Sequence, residues 1–217
     1  MTKIGREIVL SKGGQFLFNF PTQMSLGGYL KLGWKSKSAI SRYIHIAKPL
    51  SVSKKSLFDR WWRSDRNIIV PKNIVKPKDF DNKNLYHHNA KLLNLKISKK
   101  YLIWRFCKKP NYTYGIVSGD KNQIIYRVVL RSKVKIVELV VWTQSANNKI
   151  EKKLINKIIN SEQPEIITFV MTNNKPILFL NKFFFKTLSK LNFIAYDNSN
   201  NSISEKIVFQ PILYDTI

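Results

Sequence analysis

The stretch from Tyr112 to Thr172 leaves this chain the fewest choices of fold. It holds three strand-like runs in succession, Tyr112–Ser118, Gln123–Ser132 and Lys135–Thr143. A helical segment, Asn147–Asn160, and a fourth apolar run, Glu165–Thr172, follow. Val128-Val129-Leu130 and Leu139-Val140-Val141 are unbroken apolar triplets rich in β-branched residues, as central strands require. Gly119-Asp120 between the first two runs is a hairpin-type turn signal. Ile150, Leu154, Ile155, Ile158 and Ile159 recur at helical spacing, so one stripe of that segment is apolar and lysines stand opposite it. A meander, a crossover helix and a returning strand predict a mixed α/β sheet covered by helices.

With 217 residues, 44% of them hydrophobic and 12% aromatic, the chain can bury a sizeable core, which excludes wholesale disorder. The single cysteine, Cys107, excludes an intramolecular disulfide and a cysteine-based zinc knuckle, and it fits a reducing compartment. Met1–Ser11 is too polar for a signal peptide, and no apolar run approaches the roughly 20 residues of a membrane helix. The expected location is the cytoplasm. The formal net charge is +25, from 38 Lys and Arg against 13 Asp and Glu. Such a charge attracts polyanions: nucleic acid, a phosphate-rich cofactor or anionic lipid. The lysines are spread along the whole chain instead of forming an arm, and abundant Lys, Asn and Ile is also what an AT-biased coding sequence produces.

Ahead of the central stretch, residues 1–50 read as a strand (Glu7–Leu10), Gly13-Gly14, a strand (Gln15–Phe20) and a helix near Gln23–Leu32. Gly33 stops that helix, and a strand near Ile40–Ala47 closes at Pro49. Residues 51–96 form a basic, aromatic connection with Trp61-Trp62 among Arg60, Arg63 and Arg66; Leu85–Leu95 reads as a helix. The tryptophan pair is either a stacking platform for nucleic acid or a linker pinned to a domain surface. Lys99–Lys108 predicts a helix stopped by Pro110, Pro176–Lys190 an aromatic-rich helix, and Phe193–Asp197 and Lys206–Tyr214 two last strands.

The order strand, helix, Lys-Leu-x-aromatic exit and closing strands occurs twice, with exits at Lys31-Leu32-Gly33-Trp34 and Lys190-Leu191-Asn192-Phe193. The rear passage, residues 97–217, resembles the GNAT acyltransferase fold in its order of elements. The front passage resembles the final helix of GNAT enzymes through Phe20-Pro21-Thr22-Gln23-Met24-Ser25 and Tyr29-Leu30-Lys31-Leu32-Gly33-Trp34. Tyr101-Leu102-Ile103-Trp104-Arg105-Phe106, with Pro110 and Tyr112, resembles the entry to the second domain of bacterial tandem-GNAT proteins. The expected architecture is therefore one complete GNAT-like copy (97–217) preceded by the C-terminal half of another (1–50).

The resemblance implies transfer of an acetyl group from acetyl-CoA to an amine borne by a small molecule, an amino sugar or a peptide. The thioester cradle would be an opening between Ile136–Trp142 and Ile166–Met171, with Val140, Val141 and Trp142 on its wall. Gln144, Ser145, Ala146, Asn147 and Asn148 would hold the pyrophosphate at a helix start. Tyr29 matches the tyrosine that protonates the leaving thiolate, and Glu138 stands where some members carry a base. As plain structure, Tyr29 is a helix aromatic packed on a sheet and Glu138 a solvent-facing or lysine-paired strand residue. The chain departs from the family at the phosphate loop, which has no glycine, at Thr22 in place of Asn, and at Leu188 where the rear copy would carry its tyrosine.

No metal is expected: His45 alternates within a strand, and His87-His88 cannot face one ion from a helix. The competing reading is a noncatalytic GNAT-like module that binds a polyanion or a partner protein. A half sheet in residues 1–50 would also favour self-association unless it packs on the rear domain.

Overall fold

A computed structural model of the chain describes residues 7, 11, 16–19, 21, 23–36, 40–54, 67–80, 99–119, 122–131, 133–142, 148–171, 184–191 and 194–197. Among them the strands are β1 (Phe16–Asn19), β2 (Lys35–Ser36), β3 (Ile40–Ile46), β4 (Asn67–Ile69), β5 (Gly115–Ser118), β6 (Gln123–Arg131), β7 (Val134–Trp142), β8 (Ile166–Met171), β9 (Phe185–Leu191) and β10 (Ile194–Asp197). The α-helices are α1 (Gln23–Lys31), α2 (Pro49–Lys54), α3 (Lys99–Ile103) and α4 (Asn148–Glu162). A π-helical turn, Trp104–Lys108, continues α3. No helix among the described residues is long and apolar enough to cross a membrane.

The expected meander is present. β5, β6 and β7 pair antiparallel in sequence, α4 crosses over, and β8 returns parallel to β7. Among the described residues these strands belong to a seven-stranded sheet ordered β4-β6-β7-β8-β3-β9, with β5 also on β6. The front passage enters that sheet. β3 runs antiparallel to β8 on one side and to β9 on the other, and in a second, three-stranded sheet β10 of the rear passage lies between β1 and β2. The front and rear passages thus share both sheets.

One expected element differs. The helix read over Pro176–Lys190 is a strand from Phe185 onward, in register with β3 through Ile40–Leu191, Ser41–Lys190, Tyr43–Lys186 and Ile44–Phe185. The run Phe185-Lys-Thr-Leu-Ser-Lys-Leu satisfies helical spacing and fits a pleated surface as well; the exposed edge of β3 decides between them. The repeated Lys-Leu-x-aromatic exit therefore follows a helix in the front passage and a strand in the rear one. Residues 8–10, 61–62, 85–95, 176–183 and 206–214, on which other elements were expected, lie outside the described residues.

Side-chain alternation sorts the large sheet into two faces. On one face Leu154, Ile155 and Ile158 of α4 pack on Ile124, Tyr126, Val128, Val137, Leu139 and Ile167. On the other, Leu102 and Phe106 with Val75 and Phe80 cover Ile125 and Val140, and Val52 of α2 sits with Ile44, Val129, Ile136 and Ile166. The α4 face has one tightly specified spot. The Tyr126 ring fills the space where Gly115 lacks a Cβ, and a Cβ there would stand 2.4 Å from the ring. Its hydroxyl donates to the buried Glu162 carboxylate at 2.8 Å, which also accepts from the Lys72 amide at 2.9 Å.

Gly115→Ala is expected to cost about 1–3 kcal/mol in a urea melt, because the buried ring has nowhere to move. Burial, then the Glu162 bond, pushes the Tyr126 phenol above its ordinary range. The folded state therefore favours the protonated phenol. Its contribution is fully present below the unfolded value of about 10 and is lost as pH rises beyond it. Tyr126→Phe should flatten that alkaline loss in a pH series of melts.

Candidate functional site

β7 and β8 run parallel but pair at only three positions, Ile136–Ile166, Val137–Ile167 and Glu138–Thr168. Beyond them β7 continues to Trp142 and β8 to Met171 without a further rung between the two. The cause lies in β7. Tyr126 stands opposite Leu139 and Ile125 opposite Val141, so Val140 is an extra residue, and a bulge of this kind bends its strand and leaves that residue out of the ladder. β8 meanwhile keeps β3 along its whole length, from Ser41–Met171 to Ile46–Ile166. After Glu138–Thr168 the two strands share no further rung while β8 stays in register with β3, and an opening forms between them.

The two sides of the opening differ in chemistry. On the α4 side the Trp142 ring meets Phe169 edge-on at 5.3 Å and lies 6.4 Å from Phe184. Tyr43 stacks on Phe169 at 5.1 Å and His45 lies 5.6 Å from Phe184. The opposite side is polar. Arg127 Nε donates to Glu138 Oε2 at 2.5 Å, and Arg131 reaches the other carboxylate oxygen at 3.5 Å. The Arg127 guanidinium lies 5.8 Å from the centre of the Tyr112 ring. Two buried polar atoms, Thr168 Oγ1 at the last rung and Trp142 Nε1 at the end of β7, have no hydrogen-bond partner among the described residues. A buried donor or acceptor without a partner costs about 1–3 kcal/mol, and two such atoms lie beside this opening.

The sequence-predicted residues fall in three places. Val140, Val141 and Trp142 form the β7 wall of the opening, and Glu138 stands at its base in the ion pair with Arg127 and Arg131. Asn148 opens α4, while Gln144, Ser145, Ala146 and Asn147 lie outside the described residues. Tyr29 belongs to the end of α1. The Gly33 amide donates to Leu30 O at 3.0 Å and the Trp34 amide to Tyr29 O at 3.2 Å, with Gly33 at φ 83°. These two bonds make a Schellman stop, and the 5.3 Å edge-on contact of Tyr29 with Trp34 is the apolar clasp that accompanies such stops. The Tyr-x-x-x-Gly-Trp pattern thus terminates the helix.

Sequence reasoning passed over Thr168, Phe169, Phe184 and β3. Thr168 carried a signal, being the one hydroxyl inside the apolar run Ile166–Met171. The rings of Phe169 and Phe184 carried none, since core and site aromatics look alike in sequence. Among the described residues no group of three or more His, Cys, Asp or Glu side chains is placed to hold a metal.

No known protein-family model matches the chain, and no curated protein matches its sequence. Solved structures match it in fold. It is similar to the GCN5-related N-acetyltransferase from Kribbella flavida, with a TM-score of 0.53 and 12% identity, over 87% of this chain and 44% of that one. It is similar also to the GCN5-related N-acetyltransferase from Anabaena variabilis, with a TM-score of 0.53 and 12% identity, over 88% and 48%. The chain has a GNAT-like fold. The likeness is one of fold, and the chain spans less than half the length of either protein.

Within that fold Glu138 is the counter-charge of two half-facing guanidinium groups. Glu138→Gln removes it from a largely buried pair and is expected to cost about 3 kcal/mol in a denaturant melt.

Proposed function

We propose that this chain is a GNAT-type N-acyltransferase module that passes an acetyl group from acetyl-CoA to an amine on a small molecule, an amino sugar or a peptide. The observation that carries this reading is the β7–β8 opening: a bulged strand at Val140, a partner strand kept in register with β3, and two unmatched buried polar atoms on its walls. Those residues fit an extended thioester arm. Past Glu138 the edge of β7 that faces β8 offers backbone groups with no rung to fill, as an amide-bearing arm needs, and Thr168 and Trp142 add a hydroxyl and an indole N–H.

In this reading the backbone of Val140–Trp142 holds and aligns the arm, and the Thr168 hydroxyl donates to a carbonyl oxygen brought to the base of the opening. Gln144, Ser145, Ala146 and Asn147, with the first amides of α4 from Asn148, hold the pyrophosphate, since a helix start presents unpaired N–H groups. Bound there, acetyl-CoA supplies an acetyl carbonyl activated as a thioester. Glu138, clamped by Arg127 and Arg131, fixes the polar side of the opening, and use of its carboxylate as a base requires loosening that clamp. Tyr29 serves as the acid only where its phenol reaches the sulfur; its local geometry accounts for the helix stop.

One observation favours a second reading, a noncatalytic GNAT-like module. The Trp142, Phe169 and Phe184 rings touch across the α4 side of the opening and occupy space there.

Calorimetric titration with acetyl-CoA, with ATP and inorganic phosphate as anion controls, separates the two. Saturable binding that the controls do not reproduce is expected, with Thr168→Val weakening it about five- to tenfold through one lost hydrogen bond. Binding no stronger than the controls leaves the noncatalytic reading. Where binding holds, an unchanged turnover for Tyr29→Phe removes that tyrosine from the chemistry.

A further inference from the structure

The helix α4 sorts its charges in a way the sequence conceals. Its inward stripe runs Glu151, Leu154, Ile155, Ile158 and Glu162, so both of its carboxylates are buried. Its outward face exposes Lys149, Lys152, Lys153 and Lys157, with Asn156 and Asn160 between and beyond them. Lys149, Lys153 and Lys157 stand four residues apart, which sets them in one row at intervals of about 6 Å along the helix. No acidic side chain of α4 interrupts that row.

The row ends in a recess. Lys157 leans across to the end of β5, its ammonium 3.4 Å from Ser118 O. There an open depression of about 530 Å³ lies between α4 and β5, lined by Asn73, Ile116, Val117, Ser118, Lys157, Asn160 and Ser161. Its lining carries the Asn73 and Asn160 amides, the Ser118 hydroxyl and the Lys157 ammonium, with the α4-facing Val117 as its apolar part; the Ser161 hydroxyl donates to Ile158 O at 3.2 Å. This combination matches a nucleoside unit: hydrogen-bond donors and acceptors for sugar hydroxyls and a base edge, beside a cation for the adjoining phosphate.

We infer that the outer face of α4, together with this recess, binds a single-stranded nucleic acid, with the phosphodiester chain along Lys149, Lys153 and Lys157 and a nucleoside turned into the recess. Charge complementarity selects the polyanion. The recess selects a single strand, because a base locked in a duplex cannot enter it. A membrane surface is disfavoured, since the only large apolar side chain that α4 exposes is Ile150. The inference rests on outward side chains of α4, whereas the acyl-transfer reading uses the β7–β8 opening, the loop before α4 and the first backbone amides of α4.

The test is fluorescence anisotropy with a labelled single-stranded RNA of about a dozen nucleotides, read between roughly 50 and 200 mM salt. Because the whole chain is basic, the comparison is between two charge-matched double variants. Lys153→Glu with Lys157→Glu alters the row, and Lys99→Glu with Lys100→Glu alters exposed lysines at the start of α3, on the far face of the sheet. Loss of two phosphate contacts should weaken binding roughly 25-fold near 0.1 M salt and make the salt slope shallower by about 1.4. The control pair should change affinity less than about threefold, and circular dichroism should show both variants folded.

Equal losses in the two variants would overturn the inference, since the charge would then act without a site. So would a duplex of the same sequence binding as tightly as the single strand, or anionic phosphatidylserine vesicles depending on Lys153 and Lys157 where RNA does not. Acetyl-CoA titration of the Lys153, Lys157 variant keeps a failure here distinct from a failure of the acyl-transfer reading.

Discussion

β8 has two neighbours and treats them differently, and the opening in the sheet depends on that. With β3 it keeps an unbroken antiparallel ladder from Ser41–Met171 to Ile46–Ile166; with β7 it shares three rungs and then parts. A strand that loses its partner on one side leaves the backbone groups of that edge without rungs, whatever the other edge pairs with. β3 holds β8 in the sheet through the opposite edge. The Glu165 joint fixes the arrangement at the base of β8. Its carboxylate accepts from the Lys135 amide at the start of β7 and from Ser51 of α2, while its carbonyl accepts from Ala47 and Lys48 at the end of β3. One residue thus ties both neighbours of β8 together where they are in register and leaves them apart where they diverge.

The same economy governs charge. Glu151, Glu162 and Glu165 are all buried, and each faces inward from α4 or the turn that follows it. Glu162 takes the Tyr126 hydroxyl and the Lys72 amide, and Glu138 takes two arginines. Buried carboxylates must be hydrogen-bonded or paired to be tolerated, and here they staple strands and helix ends. With 13 acidic residues in the chain, placing these inside leaves lysine as the charged residue on the outer face of α4. On α4 the basic charge is therefore gathered on one face, although lysine is evenly spread in sequence.

Much of the central fold was legible. The β6 and β7 triplets, the Gly119 turn and the stripe of α4 all appear where apolar period and turn chemistry put them, because each is a local preference reinforced by burial. Gly33 likewise acts as the left-handed stop its position announced. The β7–β8 opening was expected at Ile136–Trp142 and Ile166–Met171 only through likeness to a family; no spacing in the chain announces a bulge at Val140. Phe185–Leu191 shows the limit most plainly, since its residues satisfy two periods and only β3 chooses one.

What the sequence determined by itself is the set of elements from β5 to β8 and the sign of the surface, since period, β-branching and lysine count are properties of neighbours along the chain. What the tertiary structure decided is non-local. It placed β3 inside the rear sheet, turned Phe185–Leu191 into its partner strand, and set Thr168 and Trp142 on the walls of one opening. Strand pairing joins residues more than a hundred positions apart through backbone groups that every residue carries alike. A single sequence therefore leaves no mark of which edge will meet which.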